Sequence, residues 1–144
     1  MSGVNNQDED QARDRDQALA THEADARGQL LRSGASLLPR PPWLDERQPP
    51  AATDLIRFAV WRASAGGHSA SAGGIGEEGV LAALALLPAA RAELDQTEAA
   101  LLFTARAQGL SWPRISRAMG LGSPQAAQQR FDRVAGRAQG PGSR

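Results

Sequence analysis

The residues best suited to recognising a ligand lie in the segment 123–137, SPQAAQQRFDRVAGR, where amide side chains recur at helical spacing. If Ala127, Phe131 and Val134 form the inward face of a helix, the amides fall on or near its exposed side. A carboxamide on such a face can bond an adenine edge through N6 and N7. The predicted base-reading residues are Gln125, Gln128, Gln129 and Asp132.

Arginines flank that amide face and also precede it in the chain. Their guanidinium groups can reach phosphates, and an arginine in the N-terminal half of the helix can read guanine instead. Two serines at predicted helix N-termini can add backbone amide contacts to phosphate. The predicted phosphate-contacting residues are Ser111, Arg114, Arg117, Ser123, Arg130, Arg133 and Arg137.

Three short helices are predicted to position these side chains within residues 94–137. Asp95, with Glu98 three residues on, is a capping-box variant that starts the first helix, and Gly109 is placed to end it in the left-handed conformation. Ser111 can cap the second helix, with Pro113 in its first turn, where a missing amide is harmless.

The inward face of the second helix is predicted to be Ile115, Ala118 and Met119 before Gly120 stops it, and Ser123 caps the third. Two short helices joined by a glycine-containing turn, the second rich in amides and arginine, are typical of a DNA-reading pair. A solvated polar face is the alternative interpretation. The helix spacing, the turn glycine, small residues suited to close packing and the local positive charge together favour DNA.

Residues 105–134, ARAQGLSWPRISRAMGLGSPQAAQQRFDRV, resemble the helix-turn-helix segment of small actinobacterial transcription regulators. In those proteins a G-x-S-W-x-x-I/L-x-x-A-L-G motif leads into S-x-Q-A-A-x-x-R-F/Y. The likeness covers about a third of the chain and is fainter through residues 86–102. It implies a tri-helical DNA-binding fold and a cytoplasmic regulator. The matching residues are Gly109, Ser111, Trp112, Ile115, Ala118, Met119, Gly120, Ser123, Gln125, Ala126, Ala127, Arg130 and Phe131.

Composition predicts an all-α protein with a small core, because the chain has three Trp, three Phe and no Tyr, and its apolar residues are mostly Leu, Ala, Val and Ile. The net charge of zero is unevenly spread. Residues 1–50 hold nine acids and six arginines, whereas residues 91–144 hold four acids and eight arginines. All sixteen basic residues are arginine, which favours a GC-rich genome as the source.

Residues 1–50 are predicted to be an acidic tail that ends in a proline-rich linker. The tail is expected to be disordered or marginally helical, since no apolar stripe is evident before Leu30, and five of the nine prolines lie in residues 36–50. Trp43 in the linker is either a docking motif or an aromatic that covers the edge of the core. The prediction for residues 138–144 is a flexible tail.

Residues 51–93 are predicted to form two further helices with a possible role in dimerisation. The first follows Thr53 as N-cap, with Leu55, Ile56, Ala59, Val60 and Ala63 on its apolar face. The second follows a Gly/Ser-rich loop, and Pro88 should kink or divide it. Its apolar side, Val80, Leu81, Leu84, Leu87 and Leu94, exceeds what one amphipathic helix needs, so either packing or a homodimer interface can use it.

These patterns predict sequence-specific binding of double-stranded DNA by a homodimeric, cytoplasmic, nucleoid-associated transcription regulator. An enzyme, a cofactor and a metal are not expected, because Cys is absent and His22 and His68 have no ligand-spaced neighbours. No secretion signal or membrane span is expected either. The alternative function is a protein-interaction module that binds a sigma factor or an RNA polymerase subunit.

Overall fold

In a computed structural model, residues 4–66 and 74–138 are described, and all of their regular secondary structure is helical, as the composition predicted. A one-turn 3-10 helix covers Ala35–Leu37. No helix in the described ranges is long and apolar enough to cross a bilayer. The α-helices are α1 Val4–Arg32, α2 Ala52–Gly66, α3 Gly76–Ala85, α4 Leu87–Ala107, α5 Trp112–Ala118 and α6 Pro124–Ala138.

The chain divides into two compact units, and the boundary falls within α4. Unit 1 is Met1–Ala90 and unit 2 is Arg91–Arg144. Residues 1–50, expected to be a tail and linker, thus belong to the same unit as the helices that follow them.

Of the two states predicted for the N-terminal segment, the structure has the helical one, because residues 4–32 form α1. Residues 6–22 of this helix are exposed, whereas Ala26 and Leu30 are buried in the core of unit 1. Arg27 also donates a hydrogen bond of 2.7 Å to the carbonyl of Pro50, which ties the end of the proline-rich segment to α1. The two buried residues are four positions apart, so the apolar contact that anchors the helix covers a single turn. An apolar stripe of that length is too short to be recognised in a polar sequence.

The buried face of α2 is also displaced from the expected one. Leu55 and Ala59 are buried as predicted, but Phe58 takes the place of Val60, which is exposed. The helix begins at Ala52, one residue before the predicted cap. Phe58 is a better choice for the core than Val60, because its larger ring removes more apolar area from water.

Pro88 divides the predicted second helix, as expected. The segment α3 ends at Ala85, and α4 begins at Leu87 with Pro88 in its first turn, where no amide donor is needed. The predicted apolar side of α3 is not used for packing within the unit: Ala82 and Ala83 are buried, whereas Leu84 is 55% exposed. Small side chains let α3 approach α1 and α2, and the larger aliphatic residues are left on the surface, namely Val80, Leu81 and Leu84.

In unit 2, α4 runs without interruption through Asp95, so the helix start predicted there is wrong. Both predicted glycine stops are confirmed: Gly109 has φ 81° and Gly120 has φ 68°. After each glycine, a leucine amide donates a hydrogen bond to a backbone carbonyl of the preceding helix. Leu110 donates to Ala105 at 3.0 Å, and Leu121 donates to Ser116 at 2.8 Å. This pairing ends a helix sharply and turns the next leucine toward the core.

The core of unit 2 is small and joins α4, α5 and α6. Its buried residues are Leu102, Ile115, Ala127 and Val134, with Phe131 and Met119 packed at the edge. Ala118, expected to face inward, is exposed, and Ser116 is buried instead. The Ser116 hydroxyl donates to the carbonyl of Pro113 at 3.1 Å, which satisfies the buried polar group.

Candidate nucleic-acid interface

The exposed face of α6 carries the predicted base-reading residues. Because Ala127 and Val134 are buried, a rotation of 100° per residue places Gln125, Gln129 and Asp132 on the opposite side of the helix. Gln128 lies nearer the edge of that side, and all four residues are exposed. The structure therefore brings the four together on one solvent-facing surface, as the sequence predicted.

A serine side chain caps the start of α6. The amide of Ala126 donates to the Ser123 hydroxyl at 3.1 Å, which confirms Ser123 as the N-cap. Ser111 has the extended conformation of an N-cap, with φ −77° and ψ 153°, but its hydroxyl makes no capping hydrogen bond. Ser123 thus fixes the start of α6, and Ser111 presents an exposed hydroxyl at the start of α5.

Three of the predicted phosphate-contacting arginines have no carboxylate partner among the described residues. Arg114 and Arg117 lie on the side of α5 opposite the buried Ile115, and both are exposed. Arg133 is exposed on α6 one position after Asp132. These three guanidinium groups leave unit 2 with positive charge on α5 and on α6, and α6 also carries the amides.

The other two arginines of α6 are paired with carboxylates on α4. Arg130 donates to Glu98 through Nε and through a second bond of 3.1 Å. Arg137 donates to Asp95 in the same two-pronged way, at 2.8 and 3.1 Å. Since Glu98 accepts these hydrogen bonds and places a negative charge beside the guanidinium, the pKa of Arg130 is raised above its ordinary value.

An aromatic contact supports the junction of α5 and α6. The ring of Trp112 lies 6.0 Å from that of Phe131, at an interplanar angle of 48°. The guanidinium of Arg106 stands 5.1 Å from the centre of the Trp112 ring and also donates to the carbonyl of Leu110 at 2.6 Å. Trp112 is thereby held between an aromatic ring and a cation, and both contacts fix the start of α5.

The sequence analysis did not predict the partners of Arg130, Arg137 and Trp112. Asp95 and Glu98 were expected to start a helix only, no role was predicted for Arg106, and the tertiary contacts of all three were not anticipated. Asp95 and Glu98 are 42 and 32 residues from their arginines, and no local pattern links residues that far apart. The one available signal was charge: Glu98 and Asp95 are two of the four acids in residues 91–144.

The remaining candidate residues of the sequence analysis lie in unit 1 or outside the described ranges. His22 is exposed on α1, and His68 lies outside the described residues. No cluster of His, Cys, Asp and Glu within the described residues could hold a metal ion. Trp43 is 83% exposed and, with Phe58, Trp61 and three prolines, lines an open groove of about 580 Å³.

Comparison of the chain with protein-family models, with curated proteins and with solved structures gives no match to any of them.

Proposed function

We propose that residues 94–137 form a helix-turn-helix module that binds double-stranded DNA, and that the protein is a transcription regulator of a GC-rich bacterium. The observation that carries this proposal is the exposed face of α6, which carries three glutamines, together with exposed arginines of α5 and α6 that have no carboxylate partner among the described residues. Amides and arginines are the side chains that read base edges in the major groove. Such a regulator would act in the cytoplasm, on the nucleoid.

In this proposal α6 is the recognition helix, and Gln125, Gln128, Gln129 and Asp132 contact bases. A glutamine reads adenine, and Asp132 can accept a hydrogen bond from the N4 amino group of cytosine. Arg114, Arg117 and Arg133 hold phosphates, because they are exposed and not neutralised by a neighbouring carboxylate. Ser111 and Ser123 lie where helix N-termini can approach the phosphate backbone.

Selection from a random duplex pool tests the proposal, with the purified protein at two salt concentrations. We expect one enriched sequence and an affinity that falls as salt rises, since phosphate contacts release counterions. Gln129→Ala should relax the preference at one position, whereas Arg114→Ala should weaken binding to every duplex. Equal losses on selected and random DNA for both variants would contradict this division of roles.

A second candidate function, binding to a sigma factor or an RNA polymerase subunit, is favoured by the exposed apolar residues of α4. Leu94 and Leu101, on one side of the helix, are 65% and 67% exposed, and Phe103, on the other side, is 66% exposed. Large apolar side chains left on a surface are typical of protein interfaces. DNA binding that is weak and indifferent to sequence, beside a stable complex with a polymerase component, would favour this candidate over the first.

A homodimer is part of the proposal, because one module of this size contacts few base pairs and a two-fold pair doubles the contact on a palindromic site. The exposed aliphatic residues of α3, Val80, Leu81 and Leu84, provide an apolar surface for it.

A further inference from the structure

The two arginine–carboxylate pairs of unit 2 join the same two helices at two separate points. On α6 the arginines are seven residues apart, which is two turns, and on α4 their partners are three residues apart. Each pair has two parallel hydrogen bonds. A bidentate pair fixes the plane of the guanidinium as well as its distance, so two such pairs constrain both the rotation and the tilt of α6 on α4.

The carboxylates are the less exposed members of both pairs. The Glu98 side chain is 18% exposed and that of Asp95 is 27%, whereas their arginines are about half exposed. Arg130 and Arg137 stand on the side of α6 between the buried face and the amide face. They therefore reach back toward α4, while Gln125 and Gln129 point away from the core.

We infer that Asp95 and Glu98 are positioning residues for DNA recognition: they hold Arg130 and Arg137 so that the amide face of α6 has one fixed orientation. This inference rests on the proposed function. Base reading needs side chains held within about 0.5 Å and 10–20° of the productive geometry, which a short helix on a four-residue core does not guarantee by packing alone.

The stabilising effect of these pairs is expected to be small, because exposed ion pairs contribute little to folding. Their effect lies in orientation, and it should appear as sequence discrimination. The phosphate contacts then belong to Arg114, Arg117 and Arg133. For each module with three such contacts, the logarithm of the binding constant falls with the logarithm of the salt concentration, and the slope is about −2.7.

The experiment uses the full chain and compares wild type with Glu98→Gln and Arg130→Gln, two variants that break the same pair from opposite sides. For each, the ratio of affinities for the selected and a random duplex is measured, together with the salt slope and the melting temperature. Glu46→Gln, at an exposed carboxylate of the proline-rich segment, is the matched control. A charge-swapped double variant, Glu98→Arg with Arg130→Glu, tests rescue.

We expect both single variants to lose discrimination about tenfold, within the range of one lost base contact, while the salt slope and melting temperature stay close to wild type. The charge swap should restore most of the discrimination. A slope that is shallower by about 0.9 per module, or about 1.8 for the proposed dimer, in Arg130→Gln alone would overturn the inference, since Arg130 would then contact phosphate.

Two further results would also overturn it. Tighter binding of Glu98→Gln to random DNA would mean that the carboxylate merely competes with phosphate for Arg130. Unchanged discrimination in both variants would remove the positioning role and leave the proposed function intact. Failure of the wild-type protein to select any duplex is a different outcome, because it removes the proposed function itself.

Discussion

Unit 1 and unit 2 both have a small helical core, and the two cores are built from different kinds of side chain. The core of unit 1 contains Leu30, Leu55, Phe58 and Leu86, and its other buried residues are all alanines. The core of unit 2 has only four buried residues, supplemented by half-buried Trp112, Phe131 and Met119. Unit 1 thus relies on the close approach of helices, whereas unit 2 relies on aromatic packing, and its two ion pairs join α6 to α4.

This difference has consequences for the two surfaces. In unit 1 the alanines face inward, so the large aliphatic residues of α3 remain outside and give an apolar surface. In unit 2 the carboxylates of α4 engage two arginines, so the surface of α5 and α6 keeps selected cations and amides. Because alanines fill the core of unit 1, larger apolar side chains stay on its surface, where the proposed dimer can use them. Because two arginines of unit 2 are paired with carboxylates, a defined set of charges is left for the proposed recognition of DNA.

The largest expected effect concerns the aromatic packing of unit 2. Trp112→Ala should lower the free energy of unfolding of unit 2 by about 3 kcal/mol, because the variant loses the Phe131 and Arg106 contacts and leaves a cavity. Hydrogen exchange followed peptide by peptide would locate the loss in residues 91–138. Trp43→Ala is the matched control, and its exposed ring should leave stability within about 0.5 kcal/mol of wild type. If Trp112→Ala, like the control, also left the free energy of unfolding within about 0.5 kcal/mol of wild type, Trp112 would add nothing to the core.

The next effect concerns the apolar surface of unit 1. We expect the wild-type protein to sediment as a dimer at tens of micromolar, and Leu84→Asp to raise the dissociation constant about a hundredfold, since an unpaired charge would be buried in the interface. Leu101→Asp, at a leucine on α4 that is 67% exposed against 55% for Leu84, should leave the dimer unchanged. Dissociation by Leu101→Asp alone would move the interface to unit 2, and a monomeric wild type would argue against any dimer.

The smallest effect concerns the exposed start of α1. Residues 1–20 contain five acids and two arginines, and residues 6–20 are exposed throughout. Deleting residues 1–20 spares Ala26 and Leu30, so unit 1 should still fold. Affinity for random duplex should rise about threefold at low salt and less at physiological salt, where the Debye length is about 8 Å and screening is stronger.

A full-length variant with the same five acids changed to amides separates charge from length in that experiment. Matching affinities of wild type and truncation at low salt would show that the acidic segment does not compete with DNA. Weaker binding after truncation would show instead that α1 contributes to the complex or to the dimer.

The turns and caps of unit 2 could be predicted from the sequence because they depend on neighbouring residues. Gly109 and Gly120 take up left-handed conformations that other residues avoid, and the Ser123 hydroxyl caps a helix that starts at the next residue. The inward positions Ala127 and Val134 followed from helical spacing. These local rules also placed Gln125, Gln129 and Asp132 on the exposed face of α6.

Only the tertiary structure decided which apolar faces are buried and which charges are paired. Val80 and Leu84 repeat at helical spacing, yet the alanines beside them are buried, because the choice between two apolar faces depends on how closely a neighbouring helix can approach. Likewise Ala26 and Leu30 anchor α1 through a core built by α2 and α3. The pairing of Arg130 with Glu98 joins residues 32 positions apart, and local sequence determines the charges of such a pair but not the distance between them.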